Sequence, residues 1–197
     1  MEQDFLLLRG ERVIEQLNAY HATMAQLNEV STAPDLVQNI ERAFPNTRKR
    51  QHATNEVTIS NVQYIPYIGT KLLHVKSSSM SNGHQYAQAL QFVRVNFESE
   101  DTDSNSTFKA SDGTDYHIQP LDLSDINVKV RCSCLDFRFR FADYNSQDKS
   151  LVGRAPPLYQ RKTTTRPPVN PTGVPGMCKH LLKLVDMLQQ YGLVNKT

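Results

Sequence analysis

Between Asp4 and Val30 the apolar positions Leu6, Val13, Leu17, Tyr20, Met24 and Leu27 recur at steps of seven, four, three, four and three, with Glu and Gln between them. That spacing predicts an amphipathic helix with a heptad-like seam. Gly10 interrupts the seam, where glycine costs roughly 1 kcal/mol relative to alanine. Such a helix packs on its own domain or pairs with a second chain, and so few heptads leave both open. A shorter helix is predicted after Ser31-Thr32-Ala33-Pro34-Asp35, which reads as a cap and first turn. It places Leu36, Val37, Ile40 and Phe44 inward and stops before Pro45.

From Glu56 the period shortens to two. Val57, Ile59, Val62 and Tyr64 predict a half-buried strand broken by Pro66 and Gly69, and Leu72, Leu73 and Val75 a second. Ser77–Gly83 reads as a loop, and Ala89–Phe97 as a third strand. Glu98–Ser106 reads as an acidic, serine-rich solvated loop or hairpin tip, and Thr107–Gln119 as a hairpin turning at Ser111-Asp112-Gly113. Ile126, Val128 and Val130 alternate with Asn127, Lys129 and Arg131 as a strand that runs into Cys132. Beyond it, Phe137, Phe139 and Phe141 fit either a strand or a helix, and in both cases all three are expected in the core. Leu181, Leu182, Leu184, Val185 and Leu188 predict a final helix. The expected fold class is α+β: N-terminal helices over 1–55, a central antiparallel β-rich region over 56–127, and a C-terminal module over 128–197.

One stretch breaks these patterns. Residues 143–177 hold six of the ten prolines and a net charge of +3, and they predict a long structureless insert whose arm from Tyr159 to Pro171 is extended and basic.

Composition narrows the classes. With 197 residues and 39% hydrophobic content the chain can bury a real core, while a formal charge of +2 gives no overall basic field for nucleic acid or membrane. Any such contact must be local. The candidates are Arg48, Lys49 and Arg50, and Arg161, Lys162 and Arg166 of the insert, each cluster otherwise a solvated loop. No membrane partner is expected, since no stretch approaches the ~18 apolar residues of a membrane span. Three cysteines cannot all pair as disulfides, and the first residues lack a basic leader, so a reducing cytoplasm is the expected place of synthesis.

All three cysteines fall in two pairs, Cys132-Ser-Cys134 and Cys178-Lys-His180. Three thiolates and an imidazole are the donor set of a structural Zn2+ site. Residues two apart on a straight helix point away from each other. Cys178 and His180 can therefore share a metal if Cys178 stands at the helix entrance and His180 in the first turn. Four protein ligands leave no open position for water or substrate. No glycine-rich phosphate loop, Gly-x-Ser-x-Gly or His-Glu-x-x-His is present, so neither an enzyme nor a small-molecule substrate is expected.

The order strand, Cys132-x-Cys134, insert, Cys178-x-His180, helix resembles the SWIM-type zinc finger, here with 43 residues between the two pairs. That resemblance implies Cys132, Cys134, Cys178 and His180 as zinc ligands, and nucleic-acid or protein binding as the associated role. The runs Arg131-Cys-Ser-Cys-Leu-Asp-Phe137, Arg161-Lys-Thr-Thr-Thr-Arg-Pro-Pro-Val-Asn-Pro171 and Pro175-Gly-Met-Cys-Lys-His-Leu-Leu182 are similar to virion-associated proteins of large tailed bacteriophages. This second resemblance implies a non-enzymatic, minor structural component of the tail baseplate or neck. Its partners would be other virion proteins, with self-association through the first helix, and its place the virion after synthesis in the host cytoplasm. The alternative is a cytoplasmic accessory nucleic-acid-binding protein using the two basic clusters.

Overall fold

Thr32 starts the first described helix by a reciprocal cap. Its Oγ1 accepts from the Asp35 amide at 3.4 Å, and the Asp35 carboxylate accepts from the Thr32 amide at 2.9 Å. The helix, α1, spans Ala33–Ala43 and buries Ala33 and Leu36. These observations come from a computed structural model that describes residues 31–43, 53–102, 104–157, 165 and 168–195. The predicted helix at 4–30, Phe44 and the side chain of Ile40 lie outside the described residues, as do the basic positions Arg48, Lys49 and Arg50.

After a 3-10 turn at Thr54–Glu56, three ten-residue strands follow: β1 (Thr58–Tyr67), β2 (Leu72–Ser81) and β3 (His84–Val93). A smaller sheet comes next, from β4 (Phe97–Glu98), β5 (Ser106–Lys109) and β6 (Asp115–Ile118), ordered β4-β6-β5. Its hairpin turns at the expected Ser111-Asp112-Gly113, with Gly113 at φ 87°. β7 (Val128–Cys132) then returns to the first sheet, giving the antiparallel order β1-β2-β3-β7. Two short helices, α2 (Leu135–Arg140) and α3 (Ala142–Gln147), follow it, and α4 (Lys179–Gln190) closes the chain.

The chain is therefore α+β, as the patterning predicts. Leu73, Val75, Leu90, Phe92, Val128 and Val130 line one face of the four-stranded sheet, all fully buried. The buried stripe of α4, with Leu181, Leu184 and Leu188, joins the same core. On the opposite face Lys76, Met80, Gln85 and Ala87 are exposed and their neighbours half-buried, as one-sided antiparallel sheets allow. Aromatic contacts tie the small sheet to β1: Tyr64 meets Phe108 at 5.1 Å, and Phe108 stacks on Tyr116 at 6.0 Å.

Several strand boundaries differ from the sequence expectation. Ser77–Gly83 is not a loop: β2 continues to Ser81, with Ser77, Ser79 and Ser81 on the buried face. Turning takes only Asn82 and Gly83, at φ 51° and 75°, the left-handed pair a two-residue hairpin needs. β3 consequently starts at His84 rather than Ala89, and it ends at Val93 because Arg94 takes φ 68°. Pro66 does not break β1 but pairs with Leu73 within it. β1 is an outer strand, where a residue without an N–H is tolerated. The two-period slips once in β1, at a bulge where Asn61 adopts φ 52°.

Candidate metal centre

Alternation along β7 carries the first ligand inward. Val128, Val130 and Cys132 share the buried face, while Lys129 and Arg131 sit on the other. β7 is held on both sides: it pairs with β3, and Val130 exchanges backbone hydrogen bonds of 2.8 and 3.1 Å with Ser150 and Val152. Two residues on, Cys134 takes extended geometry (φ −68°, ψ 150°) as the N-cap of α2, and its Sγ accepts the Phe137 amide at 3.3 Å. The Cys134 amide in turn points at Cys132 Sγ, at 3.5 Å. These N–H···S bonds favour thiolate over thiol.

At the far end of the chain Cys178 is the N-cap of α4, with φ −86° and ψ 167°, and His180 lies in the first turn. This is the arrangement their two-residue spacing requires. His180 Nδ1 stands 3.8 Å from both Cys132 Sγ and Cys178 Sγ. The four ligand atoms of Cys132, Cys134, Cys178 and His180 all lie within 4.8 Å of one another, and all four residues are buried. The cluster could hold one metal ion, drawing all its donors from side chains.

Electrostatics in the cluster are those of crowded sulfur. Cys134 is held well below the ordinary thiol range by hydrogen bonds from Cys132 and Cys178, helped by His180 and the Phe137 amide. Cys132 is pushed up to about 12, first by its bond to Cys134, with burial adding and Cys178 opposing. Burial is the main cause that lifts Cys178, followed by the two neighbouring sulfurs. Three sulfurs so crowded resist ionising together until a cation arrives to compensate the charge.

Sequence patterning did not single out several residues that build the surroundings. The Tyr86 ring packs on the His180 ring at 4.5 Å, and His180 Nε2 is buried with no partner among the described residues. Asn145, fully buried, accepts the Gly176 amide at 3.0 Å and so orients the approach to Cys178. Asn170 is 3% exposed; it donates to the carbonyls of Arg140 and Val174 at 2.9 and 2.8 Å and accepts from the Gly173 amide at 3.1 Å. A lone Asn170 in a proline-rich run reads as turn chemistry, and only tertiary contact separates it from an ordinary loop residue.

The region between the two ligand pairs therefore differs from the structureless insert expected at 143–177. Its first part is helix α3, Leu151 is buried against Val130, and the Arg131 guanidinium donates to the carbonyls of Val152 and Arg154. Its last part is fixed by Asn145 and Asn170. Each end has a polar partner in the core, which composition alone does not reveal. Arg161, Lys162 and Arg166 lie outside the described residues. Residues 135–140 take the helical alternative, which separates the three aromatics: Phe137 and Phe141, four apart, are buried at 1% and 0%, whereas Phe139 is 37% exposed beneath Arg138. Phe139 is thus not a core residue.

Fold and site together define an α+β protein with a buried Cys3His cluster able to take a metal ion. Searched against protein-family models, curated proteins and solved structures, the chain finds no match. Among the described residues no helix is long and apolar enough to cross a membrane.

Proposed function

We propose that the chain is a non-enzymatic structural and assembly protein whose C-terminal part, over 128–197, is stapled by a structural zinc ion. The observation that carries the staple is the closed donor set. A tetrahedron built on zinc–sulfur and zinc–nitrogen bonds has edges of about 3.5–3.8 Å, and His180 Nδ1 lies 3.8 Å from two of the sulfurs. With three thiolates and an imidazole in place, no coordination position remains for water or substrate. The metal then joins the end of β7 to the start of α4, two points far apart in the chain. The resemblance of 131–137, 161–171 and 175–182 to virion-associated phage proteins supports placing this stapled body in a tailed-phage particle, at the baseplate or neck.

Metal analysis of the purified chain tests the staple, with one zinc per chain expected. Cys132→Ser should fail to retain it through dialysis and should melt at least about 10 °C lower, since 1 kcal/mol moves the midpoint of a domain this size by about 2–4 °C. A zinc-free protein, or an unchanged melting temperature, sinks the assignment. Mass spectrometry of purified particles tests the placement: the chain should appear at a fixed, low copy number, and its absence refutes the virion role.

A further inference from the structure

Three buried side chains stand in a row across the sheet. Ser77 of β2 is directly opposite Gln88 of β3, and Gln88 is directly opposite Cys132 of β7. Residues so paired share a face, with Cβ atoms about 4.5–5.5 Å apart. Their exposures are 6%, 4% and 4%. The Ser77 hydroxyl donates to Gln88 Oε1 at 2.7 Å, which engages the amide oxygen on the β2 side. Gln88 Nε2 is buried and has no partner among the described residues. A buried amide donor left unpaired is destabilising, and the neighbour on the other side of Gln88 is the Cys132 sulfur.

We propose that Gln88 is a positioning residue of the metal centre, its Nε2 donating to the metal-bound Cys132 thiolate while Ser77 holds the amide in the orientation that turns N–H groups, not the carbonyl, toward sulfur. The inference rests on reading the cluster as a metal site. A thiolate ligand is an acceptor only and carries charge, so it attracts an N–H and repels an amide oxygen. The thiolate charge selects the orientation, and the Ser77 hydroxyl, which can donate or accept, holds it by donating to Oε1. Cys132 then receives two hydrogen bonds, from the Cys134 amide and from Gln88. Together they spread the thiolate charge and slow its protonation and loss from the metal. Partners of this kind change metal affinity by about 10–100-fold in comparable sites.

The test uses the full chain with zinc and with cobalt, whose sulfur-to-metal absorption reports the electron density on sulfur. Gln88→Leu should keep one zinc per chain, bind it about 10–100-fold more weakly in competition with a chelator, and shift the sulfur-to-cobalt bands to lower energy. Gln88→Met, which keeps the volume with a flexible side chain, should do the same and serves if the leucine variant does not fold. Ser77→Ala, which frees the amide without removing it, should weaken zinc binding and shift the bands in the same direction. Wild-type protein that takes up no metal overturns the metal reading itself. Wild-type protein that binds one zinc, with a folded Gln88 variant matching it within twofold and showing unshifted bands, overturns the role of Gln88 alone.

Discussion

Two of the three thiols hold their protons at neutral pH without metal, Cys132 at about 12 and Cys178 also raised, while Cys134 is held low. Metal binding must expel those protons, so affinity rises with pH by about tenfold per unit for each proton displaced. Zinc binding measured in chelator buffers at pH 6.5 and 7.5 should therefore differ by about tenfold to a hundredfold, and pH-independent binding would contradict the thiolate ligand set. Stability without metal should run the other way. A group whose folded pKa is raised contributes stability that is present below its unfolded value and lost above it. The metal-free protein should thus weaken as pH climbs through the ordinary thiol range, whereas the loaded protein should not. The aromatic trio offers a second contrast at this scale. Phe137→Ala and Phe141→Ala should each cost about 3–5 kcal/mol by chemical denaturation, and Phe139→Ala, on the exposed side of α2, within about 0.5 kcal/mol.

Among the elements, the turn around Asn170 is the most revealing. Its amide bridges the Arg140 carbonyl of α2 and the Val174 carbonyl before Cys178, while Gly173, at φ 64°, stands where a Cβ would come within 3.0 Å of the Tyr144 ring. Asn170→Ala leaves several of these backbone groups without a partner, and we expect a loss of about 2–3 kcal/mol, read as a drop of about 5–10 °C in melting temperature. A change under 2 °C would show that the turn holds without it. Elements with a strong period were legible in sequence: the strand into Cys132, the hairpin at Ser111-Asp112-Gly113, the helix after His180. Ser77, Ser79 and Ser81 were not, because serine is a loop former by composition while their alternation continues the strand. The pairing of Gln88 with Cys132 was beyond reach for a different reason. It depends on register between two strands that place positions 44 residues apart opposite each other, and no local pattern encodes that.

On the scale of the whole molecule, the α+β class and the four side chains that come together in the cluster could be read directly, since hydrophobic period and donor spacing are properties of short windows. What could not be read was how much of the connection between the ligand pairs is anchored. Val130 pairs with Leu90 on one side and bridges Leu151 on the other, so the segment leaving the Cys132-x-Cys134 pair returns to the same sheet. Asn145 and Asn170 then guide the chain into Cys178. The ends of the connection are thereby set in place by contacts of their own as well as by the cluster.

With both ends of the connection held by contacts of their own, an insertion between Pro157 and Pro168 should be tolerated and offers a port for engineering. Chain added there leaves both anchored ends in place, and closure entropy grows so slowly that even doubling a loop costs only about 0.6 kcal/mol. A tag of ten to fifteen Gly and Ser residues placed in that interval should shift the melting temperature by no more than about 3 °C and leave metal stoichiometry unchanged. The same tag between Asn170 and Gly176 should lower both. An affinity epitope carried in this port would allow the protein to be pulled out with its natural neighbours, without touching either end of the chain.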